Sequence, residues 1–336
     1  MKSIYAKRMS AAICAAALGA TITAAGAQQT IRTQRAVPSS PSIGSRAAAA
    51  AGSLLYVSSE TPADIAIYPS SAAGRTQPIA TITGPHTGLI RPNGIAVDQT
   101  RTSYVVNAPN YKQTGSVTIV SYGNGDVTRK GFFTCFLFDP WTAALDTGGV
   151  HITDLQYNAV STYKPGSRCP TSMIHGDRTL LNGPTGITID VLGRAVVANL
   201  GDRQPINIYA AGAAGNVAPI AQITGSRTGI YGPVGVAVDA QNDIYVSNTG
   251  TFGILEFAAT ANGDATPIRR ISGSKTLLNN PMGIAVSKRT GEVYVAEPGA
   301  GQVLVFAASA QGNVAPIRVS TDASGNQYPT GVALHE

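Results

Sequence analysis

The chain has 336 residues, of which 43% are hydrophobic and 12% charged, with 24 Lys and Arg against 18 Asp and Glu. Three of the basic residues and none of the acidic ones lie in the first 27, so the remainder carries 21 basic against 18 acidic residues, and +3 is a weak basis for nucleic-acid binding. No stretch after residue 27 approaches the ~18 uninterrupted apolar residues of a membrane span, and length alone admits either one large all-β domain or two average ones.

Residues 1–27 read as an export signal. Lys2, Lys7 and Arg8 give a positive start, Met9 to Ala25 is an uncharged Ala-rich run, and Ala25-Gly26-Ala27 is a small-residue cleavage sequence. Cys14 follows Ile13 and so does not resemble a lipid attachment site. A secreted or periplasmic protein starting near Gln28 is expected. Residues 28–51 lack an apolar period and are rich in Pro, Ser and Ala, which suits a disordered linker.

From residue 52 onward the chain repeats. The motif P-x-G-[IV]-[AT]-[VIL] begins at Pro92, Pro184, Pro233, Pro281 and Pro329, and PWTAALD at 140–146 is a degenerate copy with Thr142 in place of Gly. The intervals are 48, 44, 49, 48 and 48 residues. Each unit carries four short strand-type runs separated by turn residues, for example VGVAVD, DIYVSN, GILEFAA and TPIRRISG. Four antiparallel strands per unit of about 45 residues is the signature of a propeller blade. Pro78, Pro170, Pro219, Pro267 and Pro316 open the fourth run, which must then be an edge strand because proline cannot donate to a ladder.

The ends of the chain complement one another. LLYVSS at 54–59 corresponds to a second strand, so the first unit lacks its inner strand, whereas PTGVALHE at 329–336 is an inner strand without a unit. The expected architecture over 52–336 is an all-β, six-bladed propeller of four-stranded antiparallel blades, closed by the C-terminal strand joining blade 1. A monomer is expected. Asp98, Asp146, Asp190 and Asp239 end inner strands as turn formers.

The phrases PxGIAVD and IYVxN, followed by a Gly-Asn turn before the outer strand, resemble NHL repeats, strongly in four blades and weakly in blades two and three. That resemblance implies either a binding module or, through the similar gluconolactonase-like and paraoxonase-like propellers, a metal-dependent hydrolase or lyase. Two rings of candidate residues follow from the expected strand directions. The ends of second strands bring Ser59, Asn107, Asp154, Asn199, Asn248 and Glu297 to one side of the molecule, a set of hard oxygens of the kind calcium prefers. Asn at this place also belongs to the ordinary repeat, where it serves the turn. The inter-blade phrases GPHTG, GDRTL, GSRTG and GSKTL put His86, Arg178, Arg227 and Lys275 at equivalent places, which suits an anionic ligand or solvated surface charge.

Trp141 is the single tryptophan; it reads as a sugar-stacking platform or as filling for the missing glycine. Cys135 and Cys169 are a candidate disulfide or two separate thiols. Both lie in the irregular stretch 108–183 with the aromatic run GFFTCFLF, and function in a repeat protein often sits where the repeat is violated. No HExxH, GxSxG, CxxC or Gly-rich phosphate loop is present. The leading expectation is an exported scaffold whose loop face holds a protein, glycan or small anionic ligand; the alternative is a calcium-dependent lactonase, esterase or lyase.

Overall fold

The computed structural model describes residues 52–108, 114–322 and 328–336, with the side chain of Asp322 excluded; the expected signal 1–27 and linker 28–51 lie outside them. The described chain forms six antiparallel sheets in sequence, with single-turn 3₁₀ segments in the connections. Blade 2 runs from its inner to its outer strand as Pro92–Val97, Ser103–Asn107, Ser116–Val120 and Gly131–Phe133. Blades 3, 4, 5 and 6 begin at the inner strands Pro140–Asp146, Pro184–Ile189, Pro233–Val238 and Ile284–Val286. Blade 1 takes its inner strand from the far end of the chain: Pro329–His335 pairs antiparallel with Leu54–Ser59, setting Leu55 opposite Leu334 and Val57 opposite Val332. The ring is closed.

Second strands are buried on both faces because each sheet is covered by a neighbour on either side. The apolar clusters accordingly join successive blades: Val196, Ile208, Val246 and Phe257 pack blade 4 on blade 5, and Ile254, Ile271, Val295 and Phe306 pack blade 5 on blade 6. Tyr163, Tyr209, Phe257 and Phe306 end the third strands in fully buried positions, each contributing roughly 1.5–3 kcal/mol of side-chain burial.

The motif glycine permits the convergence at the axis. A Cβ on Gly186 would lie 2.6 Å from the Val234 carbonyl oxygen, and one on Gly283 would lie 2.7 Å from that of Thr330. At blade 3 the rule is broken by Thr142, which occupies the space left open by Gly94 in the blade before it. Hydroxyls then tie each blade to the next: from second strands Ser58 donates to the Asn93 carbonyl, Thr153 to Thr185 and Ser247 to Met282, and from an inner strand Thr185 donates to Pro233.

The edge prolines act one step earlier than a strand start. Ile79, Ile220, Ile268 and Ile317, each following a proline, donate the first N–H to the third strand, and the regular outer strand begins a residue later. The turns between third and fourth strands, which read in the sequence as simple reversals, reach back to the preceding blade. Gly125, Gly215, Gly263 and Gly312 form parallel bridges to Ile82, Ile174, Ile223 and Ile271 of the neighbouring outer strand, and Gly74–Thr76 does the same on Arg318–Asp322. The junction between blades 2 and 3 lacks such a bridge among the described residues. There a disulfide joins Cys135, just past the outer strand of blade 2, to Cys169 in the corresponding turn of blade 3, with Cα atoms 4.9 Å apart.

Deleting residues 329–336 removes a ladder no local segment replaces and exposes two sheet edges. Stability of a domain amounts to only ~5–15 kcal/mol, so the truncated chain is expected to lose its cooperative melt or to melt more than about 10 °C lower. An unchanged melting curve would contradict the closure.

Candidate functional site

In each blade the meander brings the loop between strands two and three and the inter-blade loop to the same face. The first ring of predicted residues lies at its base. Asn107, Asp154, Asn199 and Asn248 are fully buried and Glu297 is 1% exposed. Each uses its side-chain oxygen to hold the inter-blade loop that precedes it in the chain. Asn107 accepts the Ile90 N–H at 2.9 Å, Asn199 that of Asn182 at 2.9 Å, and Asn248 that of Tyr231 at 2.7 Å. Asp154 accepts from Phe138 at 2.6 Å and Asp139 at 3.1 Å, and Glu297 from Asn280 at 2.9 Å and Asn279 at 3.2 Å. Asn, Asp and Glu thus perform one task, with an oxygen that substitutes for water at loop N–H groups removed from solvent. Ser59, at the equivalent place in blade 1, is also buried.

The oxygens are committed to backbone donors, and among the described residues no group of three or more His, Cys, Asp or Glu stands close enough to hold a metal ion. Burial acts on the carboxylates directly. It pushes Glu297 up to about 7 against two backbone hydrogen bonds that favour the charged form. It raises Asp154 also, and Asp139 is pushed up to about 6 by burial and then by the charge of Asp154.

The second ring starts the inter-blade loops. His86, Arg178, Arg227 and Lys275 occupy 3₁₀ turns, and their backbone N–H groups are held by Asp126, Asn216, Asp264 and Asn313 of the following blade at 2.7–2.8 Å. Those side chains sit where a Cβ two residues earlier would be, which is why Gly84, Gly176, Gly225 and Gly273 stand there, with φ of 116–133°. Where the holding residue is Asp it also pairs with the cation: His86 lies 2.6 Å from Asp126 and Arg227 3.3 Å from Asp264. Arg178 and Lys275 face Asn and form no salt bridge among the described residues, although Arg178 acts electrostatically on the neighbouring Asp177.

The feature missed by reading the sequence is apolar. Ile90, Phe136, Phe138, Leu180, Tyr231 and Leu277 in the inter-blade loops, with Tyr157 and Phe252 between strands two and three, are 41–55% exposed. All are on the one face. Phe136, Leu180, Phe252 and Leu277 have φ of 53–64°, a region unfavourable for large side chains. Leu180 and Leu277 close the same 3₁₀ turn that ends in Gly88 and Gly229 elsewhere, and Phe252 stands where blade 6 has Gly301. Each costs roughly 1–2 kcal/mol in backbone strain relative to glycine. The phrases GDRTL and GSKTL, set beside GPHTG and GSRTG, carried the signal: a leucine where the turn prefers glycine.

In blades 2 and 3 the same face carries an aromatic cluster. Tyr157 stacks on Phe138 with ring centroids 5.4 Å apart and lies 6.3 Å from Phe136. Asp154 fixes both partners, accepting the Tyr157 N–H at 2.8 Å as well as that of Phe138, and the disulfide at Cys135 fixes the residue before Phe136. A small open cavity of about 60 Å³ at the axis is lined by residues such as Asn93, Trp141, Val234 and Met282, none of the lining side chains being ionisable. Trp141 is half-buried against this channel, while Thr142 itself takes up the room of the missing glycine.

No family model matches the chain, and no curated protein matches it. Solved structures do. A chain from a nidogen/laminin complex superposes with a TM-score of 0.63 and 18% identity over 85% of this chain and 99% of its own. A protein of unknown function from Bacteroides caccae gives 0.60 and 12% over 84% and 98%, and a protein from Lactobacillus plantarum gives 0.58 and 14% over 84% and 99%. At such identities the likeness establishes the architecture: the chain is a six-bladed β-propeller. Chemistry does not transfer with it.

The raised Glu297 has a testable consequence. Its carboxyl is more easily protonated in the folded state than in the unfolded one, so its ionisation costs stability as pH rises from about 4.5 to about 7, and the cost is constant above that. Glu297→Gln keeps the acceptor oxygen and removes the charge. The variant is expected to be more stable than wild type at pH 8, by on the order of 3 kcal/mol, and equal to it at pH 4. Equal stability at pH 8 in denaturant titrations would contradict the assignment.

Proposed function

We propose that this chain is an exported binding scaffold that engages a protein partner through its loop face. The observation that carries the reading is that all five described inter-blade loops present a large apolar side chain to solvent, on backbone held by a buried residue. Rigid loops lose little freedom on binding, and exposed aromatic and aliphatic anchors are the side chains that carry interface energy. Export is supported by the leader-like residues 1–27 and by the Cys135–Cys169 disulfide, which suits an oxidising compartment. Among the described residues no helix is long and apolar enough to cross a membrane.

The structural neighbour from the nidogen/laminin complex belongs to an assembly of two proteins, in keeping with a protein partner, although 18% identity lends the fold only. A calcium-dependent lactonase, esterase or lyase gains no support from the donors at the strand ends, which are engaged by backbone. A small anionic ligand or glycan has fewer handles than the cation ring suggested, since His86 and Arg227 are paired with carboxylates and the channel lining has no ionisable group.

The test compares two surfaces of equal exposure. Ile220 and Ile268, 53–56% exposed, form part of a belt that recurs at the residue just before the outer strand, whereas Ile90 and Tyr231 belong to the loop face. A partner crosslinked in cell-envelope extracts is expected to be lost with Ile90→Ser/Tyr231→Ser and retained with Ile220→Ser/Ile268→Ser. Loss with both pairs or with neither would count against the loop face.

A further inference from the structure

The four regular inter-blade loops differ in sequence but agree in what they expose, and this agreement identifies the partner's chemistry. Resting on the reading of the loop face as a docking surface, we infer that it takes a protein segment in which acidic residues alternate with large apolar ones.

Each of these loops shows one exposed apolar residue and one exposed cation that forms no salt bridge among the described residues; Asp177, the one carboxylate beside such a cation in sequence, is engaged by the Asn216 side chain and the Arg178 N–H. Between blades 3 and 4 they are Leu180 and Arg178, and between blades 5 and 6 they are Leu277 and Lys275. Between blades 1 and 2 and between blades 4 and 5, glycine replaces the leucine, the basic side chain at the turn is engaged by Asp126 or Asp264, and both properties are restored from elsewhere. The apolar residue moves two positions along, to Ile90 and Tyr231. The cation comes from the following blade: Arg129 and Arg270, both exposed, lie so close that a Cβ on Gly88 or Gly229 would meet their guanidinium nitrogens at 2.5 and 2.1 Å. The glycines make room for these arginines. Local packing does not explain a count that is kept while the positions change.

A surface that repeats an apolar contact beside a positive charge is complementary to apolar and carboxylate groups at matching intervals. An anionic bilayer offers both chemistries as well. Against it, about half of each apolar side chain is already covered by the protein, which leaves little to reach the ~5–10 Å below the headgroups where interfacial anchors sit. A protein segment can instead lie on the face.

The test selects a random linear-peptide library on the immobilised full chain and measures binding of the enriched peptides by titration. Enrichment of Asp or Glu next to Leu, Ile, Phe or Tyr is expected, with affinity that falls as salt is raised. Arg178→Gln/Lys275→Gln should weaken these peptides at least tenfold. Leu180→Gly/Leu277→Gly should do the same while melting at or above the wild-type temperature, since φ of 57° and 64° suits glycine. That combination separates lost binding from lost folding. Enrichment of uncharged peptides, no enrichment, or equal affinity after both double substitutions would overturn the inference, as would phosphatidylglycerol vesicles that bind the protein in a Leu180- and Leu277-dependent way when no peptide does. If the Ile90/Tyr231 variant still loses its crosslinked partner in these cases, the docking face stands and only the acidic–apolar assignment falls.

Discussion

The molecule depends on the pairing of Pro329–His335 with Leu54–Ser59. A linear stack of blades would leave two open sheet edges and no axis. Pairing the ends turns the stack into a ring, covers each sheet with a neighbour on either side and gives the loops a shared rim. Glycine at the motif's third position is the second condition, since inner strands meet backbone to backbone at Gly186, Gly235 and Gly283. Thr142 shows the tolerance of the rule: one blade can carry a side chain there because the neighbouring Gly94 lends it space.

On this frame the loops are made rigid from below and from the side. From below, the last side chain of the second strand accepts an N–H from a loop residue that lies 17 positions earlier in the case of Asn107, Asn199 and Asn248. From the side, a turn of the following blade holds the start of the same loop through Asp126, Asn216, Asp264 or Asn313. Where blades 2 and 3 meet, the disulfide stands in the place of that turn. The loops are therefore polar in their hidden connections and apolar at what they show. A soluble domain tolerates scattered exposed apolar residues, but strained backbone at Leu180, Phe252 and Leu277 is a cost that folding alone does not explain.

The architecture was legible because it is written locally. Proline, glycine and alternating β-branched residues recur at near-constant intervals, and each strand and turn is specified by residues within a few positions of itself. The incomplete units at residues 54–59 and 329–336 even revealed the closure. The site was less legible because its interactions are not local. Asp154 and Glu297 looked like departures from the repeat that would hold a metal, and the structure shows carboxylates doing the work of asparagine toward loop N–H groups 15–18 residues away. His86 and Arg227 looked like ligand-binding or solvated basic groups, since nothing in the chain marks Asp126 and Asp264, 37–40 residues on, as their partners. Leu180 and Leu277 were legible in principle, through comparison of aligned turns, but a leucine in a loop does not announce its backbone conformation.

Exposed apolar residues ride on backbone that is held rigid by buried oxygens. Amide hydrogen exchange at Ile90, Phe138 and Tyr231 measures this directly. The account predicts exchange slowed toward the rate of the strands beneath, despite side chains that are 48–55% exposed, and selective loss of that protection at Ile90 in Asn107→Ala. Exchange at the rate of an unstructured loop in the wild-type protein would contradict it.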